Sequence, residues 1–310
     1  MAAKKNRFNH PRKAASGLGW KHLLPVMVLL IILLVALEWL KRGHEPAVLP
    51  EPVKLPPVAM IQPKADYSQQ QYTSAVQPQK AAAVPQKSFP KGSLAIIIDD
   101  MGSSMKEVQD LTAINLPLTF AIIPGLPKAK AVAEYAHAKG RDVIIHIPME
   151  PQGYPAQRVE SNALLMSSSA SEIESRIRGF IKEIPFVIGA NNHMGSRFTE
   201  SEAQMKPVIA ALKENGLFFI DSRTSPKSVG QKIASCMVVR TASRNVFLDN
   251  EQNIESVKRE LLSAARMAGK RGGAIAICHP HPVTIKALSE AMPRLAEEGT
   301  VFVTAAQLLR

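Results

Sequence analysis

From residue 92 onward the sequence predicts an α/β fold, short buried strands alternating with helices around a parallel sheet, either a barrel or an open doubly wound sheet. Three observations carry this. The run Leu94-Ala-Ile-Ile-Ile98 is unbroken and apolar, as in a strand buried on both faces. Runs of this kind recur, eight in all, with helix-period segments between them. No glycine-rich dinucleotide fingerprint or phosphate loop follows any of them; Gly102 stands alone, which argues against nucleotide binding.

Taken in order, the first strand ends in Asp99-Asp100-Met-Gly102, and Ser103 to Ala113 reads as a helix that either aspartate or a serine caps. Strands follow at Leu118–Ile123 and Asp142–Ile147, separated by a helix over Lys128–Lys139 that Gly140 closes. The Ser-, Pro- and Gln-rich stretch Pro148–Ala170 reads as a rim loop or small hairpin. Helices at Ser171–Lys182 and Glu202–Asn215 flank a strand at Phe186–Ala190, and Leu217–Ile220 and Cys236–Arg240 are the next strands. A long helix over Glu251–Ala268, a strand at Gly273–Cys278, a helix over Val283–Glu298 and a short strand at Val301–Val303 complete the pattern.

The net charge of +12 looks like a nucleic-acid signal until it is located. Residues 1–43 carry +7 and residues 44–91 carry +2, leaving +3 for the rest. The main domain shows no basic stripe with interleaved aromatics, so nucleic acid is not an expected partner. Leu23–Leu37 is a charge-free run of fifteen residues that continues to Leu40, without the small residues a signal peptidase needs. It predicts an uncleaved transmembrane helix over 23–40. Six Lys/Arg precede it, which puts the arm 1–22 in the cytoplasm and the main domain in the periplasm or outside the cell. Residues 41–91 are Pro- and Gln-rich and predict a disordered, extended linker. Cys236 and Cys278 are too few for a zinc ribbon or a disulfide framework; buried free thiols or a single bridge are the two readings.

Histidine placement is the sharpest chemical signal. His146 ends the third strand, His193 follows the fourth, and His279 and His281 follow a late one, in Cys-His-Pro-His-Pro282. Parallel folds carry their sites at the carboxyl ends of strands, so these four share an edge with Asp99 and Asp100. Each alone is ordinary, since a strand-end histidine is often just hydrogen-bonded. Several imidazoles and carboxylates in one mouth, however, stay unsatisfied unless they share a cation or a proton network. Nitrogen and oxygen donors without thiolate suit zinc or another divalent first-row metal with a position left open.

Ile-Ile-Ile-Asp-Asp-Met-Gly102, His-Ile-Pro-Met-Glu150, Asn-Asn-His-Met-Gly-Ser-Arg197, Phe-Ile-Asp-Ser-Arg223 and His-Pro-His281-Pro, in this order, resemble the divergent polysaccharide deacetylase family. The resemblance covers residues 92–310. It implies a deformed (β/α) barrel of seven to eight strand-helix units and metal-dependent removal of acetyl groups from N-acetylated glycans. It also implies Asp99 as base and Asp100 as metal ligand. Typical deacetylases supply two histidines with three residues between them, a spacing this chain lacks, so His146 and His193 become the ligands by convergence from different strands. His279 sits where such proteins place the acid for the departing amine, with His281 as its close competitor. Donors for the developing oxyanion would be backbone N–H groups near Gly195 or the Arg197 side chain, the alternative for Arg197 being to pair with an acid, and Asp221 with Arg223 would orient the histidines or form a rim salt bridge. Two rival readings remain: a non-catalytic barrel binding glycan or an envelope partner, and a hydrolase with two metals.

Overall fold

The computed structural model describes residues 92–309 together with Ile31. The expected arm, transmembrane helix and linker otherwise lie outside the described residues. Among the described residues no helix is long and apolar enough to cross a membrane.

The chain forms a deformed (β/α) barrel. Its first half runs β1 (Ser93–Met101), α1 (Met105–Thr112), β2 (Thr119–Ile122), α2 (Ala129–Ala138), β3 (Asp142–Met149), α3 (Ala170–Glu183) and β4 (Val187–Met194). The second half runs α4 (Glu202–Glu214), β5 (Phe218–Asp221), α5 (Gly230–Cys236), β6 (Thr241–Ser243), β7 (Val246–Phe247), α6 (Ile254–Arg271), β8 (Gly273–Cys278), α7 (Pro282–Glu297) and β9 (Val301–Val303). The strand order is β6-β5-β4-β3-β2-β1-β8-β7, and every pair is parallel, as the alternation requires. β1 is long enough to share one edge: β9 pairs with Ser93–Ala95, and β2 pairs from Ile97 onward.

The two ends of this order, β6 and β7, are joined by Arg244 and Asn245 alone. The Arg244 N–H donates to the Asp221 carbonyl on one side, and the Asn245 N–H to the Ile275 carbonyl on the other. The seam is therefore bridged by the chain itself rather than by a ladder.

Strand periodicity divides the core in two. Leu94, Ile96 and Ile98 face outward to the helices, while Ala95 and Ile97 face inward with Ala121, Ile144, Ile220 and Ile277. Phe218 fills much of the interior, and its register partner is Gly189, where a Cβ would lie 2.3 Å from the ring. The carboxyl-terminal turn adds Ala305, whose N–H donates to Thr119 Oγ1, closing the amino end of the barrel. The opposite end is left for the site.

One expected strand is corrected, and two readings left open are resolved. Cys236–Arg240 is not a strand: α5 runs to Cys236, and the N–H groups of Met237, Val238 and Val239 close its last turn. Val238 has φ 58° and is 84% exposed, so its β-branched side chain packs on nothing, and pairing begins only at Thr241. Of the two readings for Pro148–Ala170 the loop holds and the hairpin does not: β3 runs on through Met149, and the loop from there to Ala170 makes a single parallel bridge, Met149 to Leu164. The cysteines form no bridge; Cys278 is buried as expected, and Cys236 is exposed at the end of α5.

Candidate active site

A bulge creates the site. Ile98 pairs with Phe120 but Met101 with Ile122, so β1 carries one extra residue at Asp99-Asp100. Asp99 continues the inward parity of Ala95 and Ile97. Asp100, which alternation would send outward, adopts φ 56° and turns into the same cleft. The turn begins at Asp100 itself, ahead of Gly102. Neither aspartate caps α1, whose N-cap Ser104 makes no side-chain hydrogen bond. The carboxyl ends of β4 and β5 repeat the device, with Met194 at φ 50° and Arg223 at φ 49°. Left-handed residues other than glycine are costly and gather where backbone is bent for a site.

His146 and Asn191 are register partners on β3 and β4. The Asn191 amide donates to Asp99 Oδ1 at 2.7 Å, and its carbonyl oxygen lies 2.7 Å from His146 Nδ1. An ionised carboxylate only accepts, which fixes the amide's orientation and makes Nδ1 of His146 the donor. Nε2 then turns its remaining valence to the aspartates, 3.2 Å from Asp100 and 3.5 Å from Asp99. Burial works against charge on this ring, but Asp99 and then Asp100 push its pKa up to about 9, so the spot favours positive charge. Burial raises the Asp99 carboxyl above its usual range, against His146 and Asn191. Burial also acts to raise Asp100, yet the two imidazoles beside it prevail and hold it well below.

Asp100 Oδ1, His146 Nε2 and His193 Nδ1 form a triangle with sides of 2.8, 3.2 and 3.2 Å. A tetrahedral zinc with bonds of about 2.0–2.1 Å spaces its ligands by about 3.3 Å, close to this triangle. Asp100 Oδ1 is buried, and neither nitrogen meets it in hydrogen-bond geometry. A buried carboxylate oxygen this close to two imidazole nitrogens, without hydrogen-bond geometry to either, fits a divalent ion shared by all three. Glu160, from the rim loop, stands 3.7 Å from His193 Nε2 on the far side of the ring.

His279 enters from β8. Its Nδ1 lies 3.2 Å from Asp249 Oδ1, while Asp249 Oδ2 accepts from the His279 N–H and the Thr284 hydroxyl. Nε2 faces the cleft, 3.7 Å from Asp100 Oδ2. Burial would lower this imidazole's pKa, but Asp249 and then Asp100 raise it above the ordinary value, favouring a protonated ring. His281 is the N-cap of α7, beside Gln252, and stands outside the cleft lining.

The remaining candidates divide. Arg197 pairs with buried Glu150 at 2.8 Å and does not line the cleft, so its charge is spent on pinning the rim loop. Gly195 has φ 79°, and a Cβ there would lie 2.8 Å from that of Met149; it lets the loop pass close, and its carbonyl accepts from Thr199. Its neighbours Met194 and Ser196 line the cleft. Asp221 does not orient a histidine. It lies on the outward face of β5 and accepts from the Arg223 and Gln231 N–H groups and the Ser228 hydroxyl. No Asp221–Arg223 salt bridge forms; the Arg223 side chain lines the cleft instead. The cleft, about 530 Å³, also receives Asn192, Ser222 and Arg244.

A family model described as divergent polysaccharide deacetylase matches residues 96–309. An uncharacterised protein of Haemophilus influenzae is 40% identical over 211 residues, which span 68% of this chain and 75% of that one. The Escherichia coli protein YibQ is 36% identical over 218 residues, spanning 70% of this chain and 67% of that one. Among solved structures, an uncharacterised protein of Agrobacterium tumefaciens matches with a TM-score of 0.68 at 25% identity, covering 72% of this chain and 92% of its own.

Proposed function

This chain belongs to the divergent polysaccharide deacetylase family, and from that we propose that it removes acetyl groups from N-acetylated glycans of the cell envelope with a divalent metal, most simply zinc. The observation that carries the reading is the Asp100–His146–His193 triangle with Asp99 on one side and His279 on the other. An ion held by that triangle would polarise the acetyl carbonyl and acidify a water beside it.

Each protein group then has one task. Asp99, held by Asn191, takes the proton of the attacking water, and burial makes it a stronger base than a solvated aspartate. His279, held by Asp249 and favoured in its protonated form, delivers a proton to the sugar nitrogen as the C–N bond breaks. Acetate and the free amine are the products. His281 caps α7 outside the cleft lining, which makes His279 the better placed of the two for the acid role.

Acetate release from N-acetylated glycan oligomers tests this. The full-length protein should release acetate, lose the activity on chelation and regain it with zinc. Release that survives thorough chelation sinks the metal reading, and no release from any acetylated glycan sinks the deacetylase reading. Asp249, His279 and His281 also bring ligand atoms within 4.8 Å of one another, which keeps a two-metal hydrolase as the second reading. Two ions per chain would favour it and one would exclude it.

We further propose that residues 23–40 hold the protein in the inner membrane with the main domain outside the cytoplasm, on the strength of the charge asymmetry around that run. A periplasm-dependent reporter fused after Arg310 should be active; an inactive fusion beside an active cytoplasmic one would reverse the topology.

A further inference from the structure

We propose that the cleft contains an oxyanion subsite, formed by Ser222, Arg223 and Arg244, that takes a carboxylate or phosphate group carried by the acetylated sugar. The inference rests on the deacetylase reading for the sugar but on separate residues for the anion.

Arg244 is built in place. Its Nε donates to the Ser222 carbonyl at 2.7 Å, one Nη donates to the Arg223 carbonyl at 3.0 Å, and the guanidinium lies over the Phe247 ring at 5.2 Å. These contacts fix its plane and leave further N–H donors for the cleft. Neither Arg244 nor Arg223 has a carboxylate within ion-pair distance among the described residues. Burial depresses the Arg244 pKa, Asp99 opposes that, and the neighbouring Arg223 depresses it further. Arg244 is half-buried and Arg223 exposed, and with no described carboxylate at ion-pair distance from either, both guanidiniums are open to an anion that enters the cleft.

A second observation is independent of the charges. Ser222 is 3% exposed, lines the cleft, and its hydroxyl has no hydrogen-bond partner. Its backbone N–H is already bound to Asn192 Oδ1, so the residue is held while the hydroxyl waits. A buried hydroxyl without a partner costs free energy unless a ligand supplies one. Ser222 precedes Arg223 in the chain and its carbonyl holds Arg244, so the three residues share one wall of the cleft, where an entering oxyanion would meet them.

The cleft's charge supports this. Its two aspartates and two arginines cancel, so a divalent ion on Asp100 and a protonated His279 leave an excess of positive charge. A neutral sugar does nothing for that excess, whereas an acidic one removes part of it.

Titration calorimetry on the zinc-loaded full-length protein separates the cases. The probes are N-acetylglucosamine, N-acetylmuramate, which adds a carboxylate, and N-acetylglucosamine 6-phosphate. At least one acidic sugar should bind about tenfold tighter than the neutral parent, the size of one charge-assisted contact. Which of the two does so identifies the group. Arg223→Gln and Ser222→Ala should each erase most of the difference, and Arg223→Lys should restore part of it. Arg223 suits this test because its side chain has no hydrogen bond or ion pair among the described residues. Equal affinities, undetectable binding of both acidic sugars, or a preference that survives both substitutions would overturn the proposal; the last is the mark of an anion held by zinc. Acetate release measured in parallel keeps the two readings apart. Discrimination without release refutes only the deacetylase, and release without discrimination refutes only the subsite.

Discussion

Asp99→Asn is expected to lower kcat for acetate release by about 10²–10⁴-fold, the usual contribution of a positioned general base, while zinc content is unchanged. The substitution is nearly isosteric, and the retained Oδ1 still accepts from Asn191, so the neighbouring His146 keeps its place. What disappears is the ability to take a proton. The pH profile gives a second reading. Asp99 must be ionised to act, so activity falls as pH drops through its pKa, which burial raises above the ordinary 3.8. His279 must be protonated, so activity also falls as pH rises through a pKa that its carboxylate neighbours lift above 6.5, against burial. In Asp99→Asn the residual activity should lose the acidic limb and keep the alkaline one. A variant within tenfold of the parent, or one that has lost its metal, would show that Asp99 is not the base.

Strand-end chemistry was legible in the sequence because parallel alternation alone dictates which residues share an edge. Asp99, Asp100, His146, His193 and His279 all lie where that argument puts them. The same logic cannot say how neighbours on one strand are aimed. That Asp99 and Asp100 face one cleft follows from an inserted residue and a left-handed φ, which no hydrophobic pattern encodes. At the seam β7, two residues long, went unseen and β6 was displaced onto Cys236–Arg240, whose valines mimic a strand, whereas the short but wholly apolar β9 was legible.

The residues that hold others in place were the least visible. Asn191 belongs to a recognised motif, but its bridge between Asp99 and His146 depends on the β3–β4 register, which the sequence does not state. Asp249 follows Leu248 in an irregular stretch, with no motif around it, and its role emerges only when β7 and β8 bring it beside His279. A carboxylate was to be expected behind an imidazole that must hold its proton, so the signal was chemical rather than positional. Arg197 shows the converse. Its motif offered two readings, an oxyanion donor or the partner of an acid, and buried Glu150 takes it for the second.

Removing the charge of Asp100 should cost the protein its metal. Asp100→Asn is the right variant, because the residue sits at φ 56°, where asparagine is tolerated and alanine would add about 1–2 kcal/mol of backbone strain unrelated to ligation. Asparagine also preserves the size of the side chain between the two imidazoles. The lost carboxylate charge leaves only neutral donors facing the ion, and zinc affinity should fall by more than the ~10–100-fold that follows from disturbing a residue that merely orients a ligand. Equilibrium dialysis with metal analysis reads this directly, and an unchanged far-ultraviolet dichroism spectrum confirms folding. His193→Ala should produce a loss in the same range, since it removes another corner of the same triangle. Full zinc occupancy in both variants would place the ion elsewhere, and Asp249, His279 and His281 would then be the residues to substitute next.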